Sequence, residues 1–358
     1  MRTDGVSVVI PVRNGAGWLP QVLAAIVADC QGRRFEVIVV DDGGDDGSRA
    51  IVSEWQSAAV RLVEGPRRGA AAAINAGLRL ARFHHIAQID QDVVVHPGWV
   101  RSLTRALAAP RVAAAQGWYT TDRRAPVLAR VMAIDLEQRY ERITAGETDH
   151  VCTGNVLWRR DAILAVGGLD ESLGYGYDND LSYRLEAAGY QLRICREARS
   201  HHHWRDDIRG YLRQQYGFGY GRLDLLARHP RRIGGDRVSS AAMMAHPLLL
   251  AVALASMAAA ATAAWLGQPA TPFLSSAALL ASLLVGERAV AGLRAALRFR
   301  DPAAVLFPVA HLARDAAWTL AIGVWLARRA TGIATRPAHS MRARGPASAA
   351  FPAPADER

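Results

Sequence analysis

The sequence predicts an α/β protein followed by membrane-associated helices, and three observations carry that prediction. Apolar, β-branched runs alternate with segments of helical periodicity from residue 6 to about residue 120, the pattern of a mainly parallel sheet with helical crossovers. Acidic or turn-forming residues follow several of those runs directly. Ser239 to Leu266 contains no Asp, Glu, Lys or Arg, and at ~1.5 Å rise per residue it is long enough to cross a hydrocarbon core of ~30 Å.

Taken in order, 6–12 reads as a strand closed by Pro11, Arg13, Asn14 and Gly15, and Leu19, Val22, Leu23, Ile26 and Val27 recur at helical spacing. A second strand over 35–40 runs into the turn-rich loop Asp41-Asp42-Gly43-Gly44-Asp45-Asp46-Gly47-Ser48, whose Asp46 or Ser48 is placed to cap a helix reaching about Ala58. A third strand spans 60–63, and a helix follows over 70–82. The fourth strand ends in Asp90-Gln91-Asp92, Pro97 opens a helix to about Ala108, and a fifth strand covers 112–119. Ligands of such sheets sit beyond the carboxyl ends of the strands, so Arg13, the Asp41/Asp42 loop and Asp90/Asp92 are expected on one rim.

The second half is less regular. An amphipathic helix is expected over 128–143, a short strand broken by Gly154 over 151–158, a helix to Ala188 with Asp178 or Asp180 as its cap, and a strand over 190–195 leading to His201-His202-His203. Arg213 to Arg222 is a glycine-aromatic segment too flexible for a packed helix unless another element lies against it. Beyond the uncharged stretch, 273–286 is apolar but short, a second span or a re-entrant segment. Residues 303–327 are interrupted by His311, Arg314, Asp315 and Thr319 roughly on one face, as in an interfacial helix or one lining a polar site. Arginines cluster at 228–237, 294–300 and 328–344; the positive-inside rule puts all three on the cytoplasmic side, which two spans plus a surface helix satisfy.

Net charge is +10, and all 43 basic residues are arginine. No zinc-finger spacing or aromatic-interleaved basic patch points to nucleic acid. Three scattered cysteines fit a reducing compartment. The start of the chain leads straight into strand-like sequence without a signal peptide, so the soluble portion is expected in the cytoplasm.

Two carboxylates at the end of a buried strand repel each other at neutral pH, and a bound Mg²⁺ or Mn²⁺ removes that repulsion. A polar strand-to-loop turn is the alternative for an isolated Asp-x-Asp. Such a cation can hold a diphosphate, Asp42 can accept a hydrogen bond from a nucleobase, and Arg13, Arg67 or Arg68 can add positive charge near the phosphates. Asp178 is the candidate base for an attacking hydroxyl.

These residues resemble the inverting family 2 glycosyltransferases with the GT-A fold, over about residues 6–220. The motifs, in order, are Val-Ile-Pro-Val-Arg-Asn at 9–14, Val-Val-Asp-Asp-Gly-Gly-Asp-Asp-Gly-Ser at 39–48, Ile-Asn-Ala-Gly at 74–77 and Asp-Gln-Asp at 90–92. Thr-Gly-Asn at 153–155, Gly-Gly-Leu-Asp-Glu at 167–171 and Asp-Asn-Asp-Leu-Ser-Tyr-Arg-Leu at 178–185 complete the set. The resemblance implies a nucleotide-sugar site of Pro11, Arg13, Asp42, Asn75, Asp90 and Gln91, a metal held by Asp92 and His202, and Asp178 as general base. His201 and His203 remain alternatives to His202; on a strand the three alternate faces. Acceptor-side residues would be Gly154, Asn155, Tyr177, Asp180, Gln214 and Gln215. Tyr177 stands where the family usually has glutamate, and Arg213-Gln214-Gln215 lacks the Arg-Trp ending of processive members.

The implied activity is transfer of a sugar, with inversion, from a UDP- or GDP-sugar to a glycan or lipid-linked acceptor, with Mg²⁺ or Mn²⁺ as cofactor. Membrane lipid is an expected partner and nucleic acid is not. The expected organisation is a GT-A catalytic domain over 1–235, membrane-associated helices over 236–330 and a disordered basic tail over 331–358, with the catalytic domain facing the cytoplasm at the inner membrane. The rivals are a nucleotidyltransferase on the same kind of sheet, for which the first loop is a faint match, and a non-catalytic nucleotide-sugar-binding membrane protein.

Overall fold

Strand β1 (Val6–Val12) is buried along almost its whole length, as a strand covered by helices on both faces must be. The computed structural model describes residues 5–143 and 146–332; the expected tail lies, from residue 333, outside the described residues. In chain order follow α1 (Leu19–Cys30), β2 (Phe35–Asp41), α2 (Ser48–Glu54), β3 (Val60–Glu64), α3 (Ala70–Leu80), β4 (His85–Ile89), β5 (Val93–Val95), α4 (Trp99–Ala106) and β6 (Val112–Thr120). Then come α5 (Val127–Glu141), β7 (Glu147–Thr148), β8 (Asn155–Arg159), α6 (Arg160–Ala165), α7 (Tyr177–Ala187) and β9 (Gln191–His202). The chain ends in α8 (Ile208–Arg228), α9 (Ala241–Trp265), α10 (Thr271–Phe299) and α11 (Phe307–Ala330). Two compact units result. Among the described residues, one holds Gly5–Thr120 and Ile143–His203; the other holds Thr121–Arg142 and Trp204–Gly332.

The first unit is built on one sheet of order β3-β2-β1-β4-β8-β6-β9-β5, with β7 beside β9. β3, β2, β1 and β4 are parallel, β8 is antiparallel to β4 and to β6, and β9 runs parallel to β6. The sheet is therefore mixed, with its regular α/β half at the N-terminal side. β4, β6 and β9 all end at the rim where β1 and β2 end, and β5 starts there, antiparallel to β9. That direction rule gathers residues far apart in sequence. The core between sheet and helices is continuous from Val9, Ile38 and Val40 through Ile74 and Leu78 to Val156, Trp158, Ile163 and Leu185. Helix α4 has no cap of its own: Gly98 precedes it in a left-handed turn (φ 87°). Asp29 of α1 supplies the cap instead, accepting from the Gly98 and Val100 N–H groups at 2.5 and 2.7 Å.

The second unit packs α5 and α8 with the apolar C-terminal helices. α8 absorbs the glycine-aromatic segment, and α11 is the element that lies against it. Trp318 of α11 lies so close that a Cβ on Gly219 would sit 2.9 Å from its backbone, and Tyr211 and Asp224 bond to α11 through the Ala310 carbonyl and Trp325 Nε1, each at 2.8 Å. Glycine is what lets the two helices approach. Among the described residues three helices are long and apolar enough to cross a membrane: Ala241–Trp265, Thr271–Phe299 and Pro302–Ala330, with mean hydropathy 2.0, 1.5 and 1.2. The second is a continuous 29-residue helix rather than a short apolar segment. The polar residues of α11 are internal. His311 and Arg314 face Asp135 of α5 at 3.3 and 3.8 Å, Asp315 pairs with Arg288 of α10, and Thr319 donates to the Pro247 carbonyl at 2.9 Å. Burial raises the Asp135 carboxyl, but Arg139 first, then His311 and Arg314, hold it well below the usual carboxylate range.

Candidate active site

The rim of the first unit begins with two loops latched together. Asp46 accepts from the Ala16 N–H at 2.8 Å, Ser48 Oγ from the Gly15 N–H at 2.9 Å, and Asn14 Oδ1 from the Asp45 N–H at 2.8 Å. Beside them Asp42 is buried. Its Oδ2 accepts the Gly69 N–H at 2.8 Å, and its Oδ1, also buried, has no hydrogen-bond partner among the described residues. Burial raises its pKa, offset in part by the amides of residues 67–69 and by the charge of Arg13. A buried carboxylate oxygen left unsatisfied is costly unless a ligand donor meets it.

Asp90 lies at the end of β4, where Gln88 Nε2 donates to its Oδ1 at 3.2 Å and its own N–H donates to the Gly154 carbonyl, also at 3.2 Å. Burial, and after it the charge of Asp92, push its carboxyl up to about 7; His202 pulls it down and Asp178 adds to the rise. Asp92 Oδ1 is 3.4 Å from His202 Nε2. The β5–β9 register sets that contact by pairing Val93 with His202, so His202, rather than His201 or His203, points toward Asp92. The other two turn to the opposite face, where their rings meet edge-on at 4.7 Å and His203 stacks on Trp18 at 4.0 Å. Asp92 and His202, with the Asp90 carboxylate near enough to feel both charges, offer the oxygen and nitrogen donors that suit a divalent cation of the Mg²⁺/Mn²⁺ kind.

Asp178 occupies the first turn of α7. Neither it nor Asp180 caps that helix; Gly176, in a left-handed turn (φ 78°), does. Asp178 Oδ1 accepts from the Asn179 N–H at 2.9 Å, and its Oδ2 is 3.6 Å from His150 Nε2. Tyr177 bonds to the Thr153 side chain, and burial together with Asp90 and Asp178 keeps its hydroxyl protonated. Gly154 is required by space: a Cβ there would lie 2.3 Å from Asp90 Oδ2.

Several residues expected to touch ligand have their polar atoms engaged by the protein. Asn75 is buried, donating to the Leu169 carbonyl and Glu171 at 2.8 and 3.0 Å and accepting from the Leu169 N–H at 3.0 Å; it holds the Gly167–Glu171 turn on α3. Gln91 accepts from the Arg13 N–H at 2.8 Å and donates to its carbonyl at 3.1 Å, clipping the first loop to the rim. Asn155 accepts from Trp99 Nε1 and donates to Ser200 Oγ, both at 2.7 Å. Asp180 pairs with Arg184, which ties α7 to the Gly168 carbonyl. These four side chains thus brace the loops of the rim. Pro11 pairs in register with Val40 inside the sheet, and Arg13 is exposed at the strand end. Arg68 is engaged by Glu171 at 2.6 Å. Gln214 and Gln215 lie on α8, in the second unit; Gln215 is buried and Gln214 Oε1 has no partner among the described residues. His150 and Cys152 lie beside Asp178; among three cysteines that look scattered in the sequence, the His-x-Cys spacing just before Thr153-Gly154-Asn155 is the signal that points to them.

The mixed sheet, with Asp42, Asp90, Asp92 and His202 toward its carboxyl rim, has the GT-A fold. Residues 7–167 match the model of glycosyl transferase family 2, so the chain carries a domain of that family. It is 32% identical over 253 residues to the pre-mycofactocin glycosyltransferase of Mycobacterium tuberculosis, covering 68% of this chain and 52% of that one. It is 26% identical over 226 residues to the glycosyltransferase AglE of Haloferax volcanii, covering 62% and 73%. The chain thus spans about half the length of the first of these relatives. Among solved structures it resembles the mannosyltransferase PcManGT of Pyrobaculum calidifontis, in complex with GDP-Man and Mn²⁺, with a TM-score of 0.60 at 22% identity over 88% of this chain and 86% of that one. At that identity the likeness concerns the fold.

Proposed function

We propose that the protein transfers a sugar from a nucleotide-diphosphate sugar to an acceptor hydroxyl in a single displacement that inverts the anomeric carbon. The observation that carries this is the cluster of Asp90, Asp92, His202 and Asp178: three carboxylates, one of them pushed up to about 7 by its surroundings, beside one imidazole. Asp92 and His202 would hold a divalent cation, with Asp90 next to them. When bound, that cation stabilises negative charge on a departing diphosphate. Asp42 offers its unpartnered Oδ1 to an N–H of the nucleobase. Asp178 takes the proton of the acceptor hydroxyl as that oxygen bonds to the anomeric carbon and the bond to the diphosphate breaks. His150, 3.6 Å from the Asp178 carboxylate, and the neutral Tyr177 line the base.

The acceptor in this proposal is lipid-linked or delivered at a membrane, and the catalytic unit faces the cytoplasm. Three helices of spanning length and the arginine clusters beside them support that placement. Of the three, Pro302–Ala330 is the surface helix: 44% of its most apolar window is buried within the protein, against 11% and 17% for the other two. Nucleotide sugars screened for cation-dependent thermal stabilisation, then tested for nucleoside diphosphate release and transfer, decide the matter. A donor that stabilises the protein only with Mg²⁺ or Mn²⁺ and is then turned over is the expected result. Turnover undiminished in chelator would refute the cation's part.

A further inference from the structure

His150, Cys152 and Asp178 present an imidazole nitrogen, a thiol and a carboxylate oxygen that all lie within 4.8 Å of one another. Residues two apart on an extended segment point to one side, and Val151 between them enters the sheet core. The segment is held firmly. Thr148 Oγ1 donates to the His150 carbonyl at 3.0 Å and the Cys152 N–H donates to Gln116 Oε1 at 2.6 Å. The Val151 N–H donates to Ser182 Oγ at 3.2 Å, and that hydroxyl donates to the Asp178 carbonyl at 2.7 Å. One short hydrogen-bonded chain therefore fixes the His-x-Cys segment against the turn that carries Asp178.

Sulfur and imidazole together select a borderline-soft cation over Mg²⁺ or Mn²⁺, which prefer oxygen. Four-coordinate zinc, with bonds of ~2.0–2.3 Å, spaces its ligand atoms ~3.3–3.8 Å apart. His150 Nε2 and Asp178 Oδ2, at 3.6 Å, already have that spacing, and modest side-chain rotation brings the sulfur to it. The other two thiols are poor metal ligands, because burial pushes Cys30 up to about 12 and raises Cys195. Cys152 is partly exposed, and none of the three forms a disulfide.

We propose that His150, Cys152 and Asp178 form a zinc-binding site whose occupation blocks the transferase by tying up the carboxylate that accepts the acceptor's proton. On binding, the Cys152 thiol loses its proton to solvent as the sulfur–zinc bond forms, His150 and Asp178 donate lone pairs, and water completes the shell. The site stands on geometry alone; the block rests on the role proposed above for Asp178.

The test begins with Co²⁺ added to the full-length protein as a spectroscopic stand-in. A cobalt–thiolate charge-transfer band in the near ultraviolet, displaced by Zn²⁺, weakened in His150→Gln and absent from Cys152→Ser and Cys152→Ala, is expected. An oxygen- and nitrogen-only site such as Asp92/His202 gives no such band. No band in the wild type, or a band that survives loss of Cys152, overturns the proposal; wild-type-like circular dichroism of at least one Cys152 variant makes the comparison valid. Turnover of the donor chosen by the screen, at saturating Mn²⁺, is then measured with Zn²⁺ at ten times its dissociation constant. A loss of about tenfold in the wild type and none in Cys152→Ser is expected. A band present with turnover unchanged by Zn²⁺ overturns the block and the role of Asp178 as base, and leaves the metal site in place.

Discussion

Replacing Gly154 with alanine tests whether the rim cluster is the catalytic centre, because the added atom reaches one carboxylate before anything else. The new Cβ would lie 2.3 Å from Asp90 Oδ2, 2.7 Å from its Cγ and 3.1 Å from Tyr119 Oη. An ordinary carbon–oxygen contact is ~3.3 Å, so the Asp90 carboxylate or the Gly154 backbone must give by about 1 Å. The backbone is pinned on both sides, by the Asp90 N–H bond to the Gly154 carbonyl at 3.2 Å and by Asn155 in register with Ile89. The carboxylate therefore moves, breaking its 3.2 Å bond from Gln88 and changing its distance to Asp92 and His202. Misplacing a group by 1 Å in an active site costs on the order of 10²-fold in rate, whereas the fold loses about 1–3 kcal/mol to overpacking. The expected outcome is a kcat about a hundredfold lower, a weaker cation-dependent thermal shift, and a protein still folded at 25 °C. Kinetics on the donor from the screen, alongside thermal melts with and without Mn²⁺, read both effects. A variant with wild-type kcat and an unaltered cation response would refute the placement of Asp90 in the reacting centre.

Asp92→Ala and Asp178→Asn should each reduce transfer to background, with melting curves close to wild type; near-native rates in purified Asp178→Asn would remove it as the base. Asn155→Leu should cost about 2–5 kcal/mol, since Trp99 Nε1 and Ser200 Oγ each lose a buried partner. Chemical denaturation measures that cost, and a loss below about 1 kcal/mol would mean those bonds are not holding the rim. Gly219→Val should disrupt the packing of α8 on α11, where even a Cβ meets Trp318 at 2.9 Å; a lower melting temperature in detergent is expected, and no change would contradict the close approach. Arg288→Ala should cost about 3–5 kcal/mol by stranding Asp315, which is wholly buried. Proteolysis of the detergent-solubilised protein reports it, and unchanged resistance would show that water reaches Asp315.

The α/β alternation, the strand ends carrying Asp42 and Asp90, and the uncharged stretch before Leu266 were all legible in the sequence, because periodicity and turn chemistry are local properties. Local pattern also located Asp92, Asp178 and the histidine triplet. It could not separate His202 from its neighbours: a residue's face on β9 becomes meaningful only once β5 pairs with it and puts Val93 opposite His202. Nor could it tell which polar side chains the folded chain would occupy. Asn75, Gln91, Asn155 and Asp180 sit in motifs as suggestive as that of Asp42. Their partners, Leu169, Arg13, Trp99, Ser200 and Arg184, are supplied by the folded chain, and of these five acidic and amide residues it is Asp42 that keeps a buried oxygen unpartnered.

Composition by itself located three apolar stretches toward the C-terminus, since length and hydropathy need no partner to be counted. That the second continues unbroken as a 29-residue helix, and which polar residues of the third are buried and against what, were tertiary matters. His311, Arg314 and Asp315 look like the lining of a polar site in sequence, and in the fold Asp135 and Arg288 occupy that face. The physical reason is the same throughout. Charge, volume and spacing, all written in the sequence, limit what each side chain can do. Whether it is free to do so depends on the distant donors and acceptors that the sheet order and helix packing bring against it.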